Sequence, residues 1–166
     1  MDVRRIVVGG VIASLVIAMW EMVVEAIIPG GAGFFGPPIA IGATIVRDLQ
    51  GSTNPIPFDG LALILGLMGH MMNSIILAAI FGLIVSRLSP SGSGIVALSG
   101  SGIVAFGMGW GVAVFVGMWF VVAPLIDPLM LNVSAAAFFL GHVMWGLVLG
   151  AQWARYKEPQ GLAFAR

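Results

Sequence analysis

The sequence contains no cysteine and very little charge: lysine, arginine, aspartate and glutamate together make up 8% of its 166 residues. Without cysteine there is no disulfide, no thiolate metal site and no cysteine nucleophile. A soluble domain keeps its surface wet with about a quarter of its residues charged, so this composition excludes an ordinary soluble fold. The seven basic and seven acidic side chains cancel to zero, which leaves no electrostatic attraction to nucleic acid. What remains is apolar. Hydrophobic residues make up 60% of the chain, and a lipid bilayer is the solvent that suits them.

Four apolar stretches are long enough to span. They run from about Ile6 to Ile28, from about Gly60 to Ser86, within Ile95 to Ile126 (helical from about Ser99), and from about Ser134 to Tyr156. Each exceeds the ~20 residues that cross a ~30 Å hydrocarbon core. The first carries Glu21 and Glu25 and lacks a small-x-small cleavage site, so it is read as a span and not as a signal peptide. The third opens on Ser99-Gly100-Ser101-Gly102, a poor helix former, and is expected to enter late or to tilt. The expected fold is an all-α integral membrane bundle of four transmembrane helices, forming one domain over residues 1–166.

In a four-pass arrangement Arg4, Arg5, Arg87, Arg155, Lys157 and Arg166 fall on one side, and only Arg47 on the other. The positive-inside rule then places both termini in the cytoplasm, across an inner (plasma) membrane. The outer segment, residues 29–59, is long for a connection and should carry structure of its own. Gly36-Pro37-Pro38 followed by Ile39 to Arg47 reads as a short helix, since proline is tolerated in a first helical turn. It is too short to span, and is expected to lie on the outer surface or dip into it.

The two halves resemble each other. Met19-Trp20 precedes Pro29 as Met118-Trp119 precedes Pro128, and Gly69-His70 in the second span matches Gly141-His142 in the fourth. Each half reads as a hairpin, and the tandem hairpins imply a pseudo-twofold axis along the membrane normal. That axis would set His70 and His142, the chain's two histidines, at matching depths near the midplane. Both stand in rows of small residues at four-residue spacing. The second span has Gly66, His70, Ser74, Ala78 and Gly82, and the fourth has His142, Gly146 and Gly150. Small residues so placed let helix backbones approach closely in lipid, and they turn the histidines toward protein.

Ionisable groups at membrane depth cost stability and point to function. Glu21, Glu25, His70 and His142 qualify. Glu25 stands near the outer interface, where solvation alone would satisfy it. Glu21 lies one turn deeper on the same face, within reach of a hydrogen bond to either histidine. Two histidines from separate helices are the ligand set of a b-type haem, with Ser74 and Gly146 leaving room for the macrocycle. The plainer alternative is that each imidazole bonds a carboxylate or a backbone carbonyl inside the bundle. A proton or solute pathway finds little support, because Asn73 and Gln152 are nearly the only other polar groups at depth. No nucleophile–base–orienter set is present, and no metal signature.

The stretch His142-Val-Met-Trp-Gly146-Leu-Val-Leu-Gly150 resembles a His-x3-Gly-x3-Gly pattern of small uncharacterised bacterial four-helix inner-membrane families. The resemblance implies a compact four-helix membrane protein and brings no activity with it. The expected function is therefore non-enzymatic. The leading expectation is an accessory or structural subunit that packs in the bilayer against other membrane subunits of a larger complex, for example a respiratory or photosynthetic one. The alternative is a small haem-b protein that carries electrons through the His70/His142 pair.

Overall fold

The structure is a computed structural model that describes residues 3–88 and 100–155. Its helices are α1 (Val3–Ile27), α2 (Gly36–Gly42), α3 (Gly60–Leu88), α4 (Gly100–Gly117), α5 (Ala123–Ile126) and α6 (Ala135–Arg155), with no strand among the described residues. Four helical rods are long and apolar enough to cross a membrane: α1, α3, the α4–α5 rod over Gly100–Ile126, and α6. Their ends fall within a few residues of the expected ones. The glycine- and serine-rich start at Gly100-Ser101-Gly102 is helical, and residues 95–99 and Tyr156 lie outside the described residues.

The third rod is not a uniform helix. Pro124 lacks an N–H, and its ring crowds the carbonyl four residues earlier, at Phe120. Just before it the backbone widens into a π-helical turn over Met118–Val122, and α5 resumes at Ala123. Trp119, the expected counterpart of Trp20, thus lies on an irregular turn, whereas Trp20 lies in a regular helix.

The rods form a row in the order α3, α1, α6, α4. Helix α1 packs against α3 and α6, and α6 packs against α4, but α3 and α4 barely touch. An exact twofold would match the α1–α6 interface with an equal one between α4 and α3. That second interface is missing, so the expected symmetry fails at this seam.

Close backbone approach holds the row together. Between α4 and α6, a Cβ on Gly146 would meet the Gly107 carbonyl and stand 3.0 Å from the Gly111 nitrogen, while one on Gly150 would stand 2.9 Å from the Val104 Cα. Between α1 and α3, the Gly10 backbone lies against Ile75, and the Ser74 hydroxyl donates to the Gly10 carbonyl at 2.7 Å. The Trp145 indole of α6 donates to the same Ser74 oxygen at 2.8 Å, which joins three helices at one point. Ala78 is fully buried on this face, and Gly82 receives the Trp153 ring. Arg5 lies over that ring, 4.4 Å from its centroid.

The short helix expected from Gly36-Pro37-Pro38 is α2, and proline fills its first turn. It does not lie out on a surface. Gly66 faces the Pro38 carbonyl and Gly42 faces the Ala62 backbone, so α2 crosses α3 almost backbone to backbone, with Ile39 and Ala40 fully buried. The partner of Gly66 is therefore this short helix and not another long one.

Beyond α2 the chain forms a 3-10 turn over Arg47–Gly51, and a second one over Pro128–Asn132 follows α5. Polar side chains knit the two into a cap. Gln50 donates to Asp127 at 2.8 Å and accepts from the Leu129 N–H at 3.0 Å. Asn54 donates to the carbonyls of Gly30 and Asn132, and Asn132 donates to that of Ser52.

Candidate functional site

Because α3 and α4 do not close on each other, a cleft of about 500 Å³ opens between them beneath the cap. Ile17 and Glu21 of α1 form its back wall. Leu65, His70, Asn73 and Ser74 line one side, Val114, Met118 and Val122 the other, and Phe138, His142 and Trp145 of α6 complete it. Asp127 and Thr44 stand at the cap end. Several wall residues are also exposed on the outer surface of the row, Met72 at 58% and Ile76 at 50%, so the cleft opens sideways between α3 and α4.

Glu21 is 3% exposed, and its Oε1 has no hydrogen-bond partner. The helix α6 passes so close at Gly141 that a Cβ there would stand 3.1 Å from that oxygen. Neither histidine bonds it, contrary to the Glu21–His pair expected from depth alone. The His70 Nε2 meets the Ser14 carbonyl of α1 at 3.2 Å, and the His142 Nδ1 meets the Phe138 carbonyl one turn back on its own helix at 2.8 Å. The plainer reading of the histidines, a bond to a backbone carbonyl, describes both. Their partners are not equivalent, consistent with the broken twofold. His142 also packs on the Phe138 ring, with centroids 4.3 Å apart.

Glu25 is not satisfied by solvent. It is 1% exposed, and its two oxygens accept from the Ala32 N–H and the Ser134 N–H, each at 2.8 Å. Ser134 opens α6, so this carboxylate ties α1 to the first turn of α6 and to the turn that follows α1 itself. Gly30 (φ 73°) and Gly33 (φ 89°) let that turn fold back, since both lie in the left-handed region that glycine enters freely.

The room anticipated for a haem is filled. Gly146 faces the α4 backbone, and Ser74 is engaged by Gly10 and Trp145. The histidines share one cleft, which Ser74 also lines and Gly146 does not. Among the described residues no group of three or more histidine, aspartate or glutamate side chains is clustered to hold a metal ion.

Three contributors were not expected from the sequence. The π-helical turn brings Met118 and Val122 to the cleft wall, and Pro124 inside an apolar run is its one sequence signal. Asp127 and Gln50 pair across 77 residues, a distance that no local pattern reveals. Arg47 donates to the Ile126 carbonyl at 2.7 Å beside them. Burial pushes the Asp127 carboxyl above the usual carboxylate range, and the Gln50 bond and the nearby Arg47 charge pull partly against it. No family model, curated protein or solved structure matches the chain.

Proposed function

We propose that the protein is a non-enzymatic, four-span membrane protein that holds a small lipid-soluble molecule in the cleft between α3 and α4. One observation carries the reading. Glu21 is a buried carboxyl that makes no hydrogen bond among the described residues, and it stands on the wall of a cleft that both histidines share. Buried polar atoms are nearly always paired, and an ionisable group at membrane depth costs stability. A bound molecule that completes the Glu21 site accounts for its retention. The sideways opening suits a molecule that arrives from the lipid.

Native mass spectrometry of the protein, extracted from its own membrane in mild detergent, tests this. The wild type should carry a small-molecule adduct. Val114→Trp, which fills the cleft from the α4 side, should lose it while melting at a similar temperature. A wild type without an adduct, or an adduct that survives Val114→Trp, contradicts the reading.

The accessory-subunit role stands beside this reading on a separate observation. The described chain is almost entirely long helix and cap, with no soluble domain to carry a reaction. Co-purification of larger membrane subunits supports that role, and the cleft molecule would then serve the assembly. A haem-b protein would purify coloured. The closure of Gly146 against α4 argues for a colourless one, and a Soret band lost on changing either histidine to Ala would restore the haem reading.

We further propose that the cap faces outward and that both termini are cytoplasmic, since Arg4, Arg5, Arg87 and Arg155 stand at helix ends away from the cap, where only Arg47 of the described basic residues lies, while Lys157 and Arg166 fall outside the described residues. Reporter fusions after Arg166 and within Gly51–Asn54 should report opposite compartments. An external C-terminus would overturn the orientation.

A further inference from the structure

We propose that the molecule held in the cleft is a donor of hydrogen bonds, of the hydroquinone class, and that the cleft discriminates against the corresponding quinone. This rests on the ligand-binding reading above and goes on to name the chemistry of the ligand.

The polar atoms that remain free in the cleft set its preference. A backbone carbonyl can only accept, so the histidine nitrogen that meets one must carry the hydrogen. His70 therefore donates from Nε2 to Ser14, and His142 donates from Nδ1 to Phe138. In a neutral imidazole the second nitrogen is then a bare acceptor. His70 is left with Nδ1 and His142 with Nε2. These two nitrogens are the acceptors that the histidines leave bare.

Donors on the wall are already committed. Ser74 gives its hydrogen to Gly10, Trp145 gives its indole hydrogen to Ser74, and Thr44 gives its hydroxyl to Ile41. Apart from Asn73 and the Glu21 carboxyl, no side chain that lines the cleft keeps a donor to offer. The two bare imidazole nitrogens are thus acceptors that no protein donor satisfies.

Two kinds of guest answer such a wall. A metal ion would need the acceptors clustered, and they are not. An apolar molecule with separated hydroxyl groups meets spaced acceptors without clustering them. Phe138 and Trp145 on the wall offer an aromatic nucleus ring contacts. Ile17, Leu65 and Val114 suit an alkyl tail. A hydroquinone combines these features. Its oxidised quinone presents only carbonyl acceptors, which would leave the wall acceptors unsatisfied, and a site built to hydrogen-bond a hydroxyl rejects the analogue that lacks it.

The test uses three probes with one alkyl tail: a decyl-substituted hydroquinone kept under anaerobic conditions, its dimethyl ether and its quinone. Each is titrated calorimetrically into the full-length protein in lipid nanodiscs. The hydroquinone should bind at least about tenfold more tightly than either of the others. His142→Phe removes one of the two bare nitrogens while keeping an aromatic ring in its place, and should lower the hydroquinone-to-quinone ratio severalfold. Should that variant fail to accumulate, the wild-type ratio of hydroquinone to dimethyl ether decides alone. Equal binding of all three probes overturns the donor class and leaves the cleft reading intact. No binding of any probe, while the native adduct is still lost in Val114→Trp, also overturns the class alone.

Discussion

Replacing Gly146 with Leu should cost the protein on the order of 3 kcal/mol or more of stability, at or beyond the upper end of the usual 1–3 kcal/mol for overpacking. A side chain there does not meet the flexible end of another side chain. Its Cβ would collide with the Gly107 carbonyl and press on the Gly111 nitrogen, so two helix backbones must part. The α4–α6 contact is the most extensive in the molecule, and in lipid such contacts depend on packing and not on hydrophobic burial. Gly109 provides the control. It lies on the same helix as Gly107 and Gly111, yet a Cβ there meets nothing within 4 Å. Gly109→Leu should therefore change the melting temperature in detergent little, while Gly146→Leu lowers it sharply or prevents accumulation. Equal behaviour of the two would show that α4 and α6 do not meet along these glycines.

Glu25→Ala should be the other severe change. It leaves the Ala32 and Ser134 N–H groups without their acceptor, and Ala32 is fully buried. Hydrogen bonds to a charged group contribute about 1.5–3 kcal/mol each, so the loss of two should be about 3–6 kcal/mol. It should be local at first: the turn after α1 and the first turn of α6 come loose together. Hydrogen exchange at the Ala32 and Ser134 amides should accelerate before global unfolding. Glu25→Gln should fall between, because one amide oxygen can serve only one of the two donors well. Unchanged exchange at both amides in Glu25→Ala would show that the carboxylate does not hold them.

The long helices were legible in the sequence because hydropathy over about twenty residues reports them directly. Gly36-Pro37-Pro38 likewise announced α2. Where α2 would pack was not legible. The periodic small residues of α3 state that something approaches closely, but not what, and at Gly66 the visitor is the Pro38 carbonyl of a seven-residue helix. Glu25 stood out as a carboxylate near an interface, yet its acceptor role depends on an N–H that lies 109 residues away. The histidines, expected near Glu21 in depth, line one cleft with it. Their bonds to Ser14 and Phe138 were out of reach, because apparent twofold symmetry in the sequence does not report that α3 and α4 stand apart. That gap makes the cleft, and the π-helical turn before Pro124 shapes its far wall.

The central claim, that His70 and His142 present bare acceptor nitrogens to a binding site beside Glu21, is tested most directly by nitrogen-15 NMR of histidine-labelled protein in lipid nanodiscs. The account predicts two different neutral tautomers, with the hydrogen on Nε2 in His70 and on Nδ1 in His142. Addition of the decyl hydroquinone should then shift the resonances of the bare nitrogens, His70 Nδ1 and His142 Nε2, as they accept hydrogen bonds, and should leave the carbonyl-bonded nitrogens nearly in place. Identical tautomers in both rings, or bare-nitrogen resonances that stay unmoved at saturating hydroquinone, would contradict it.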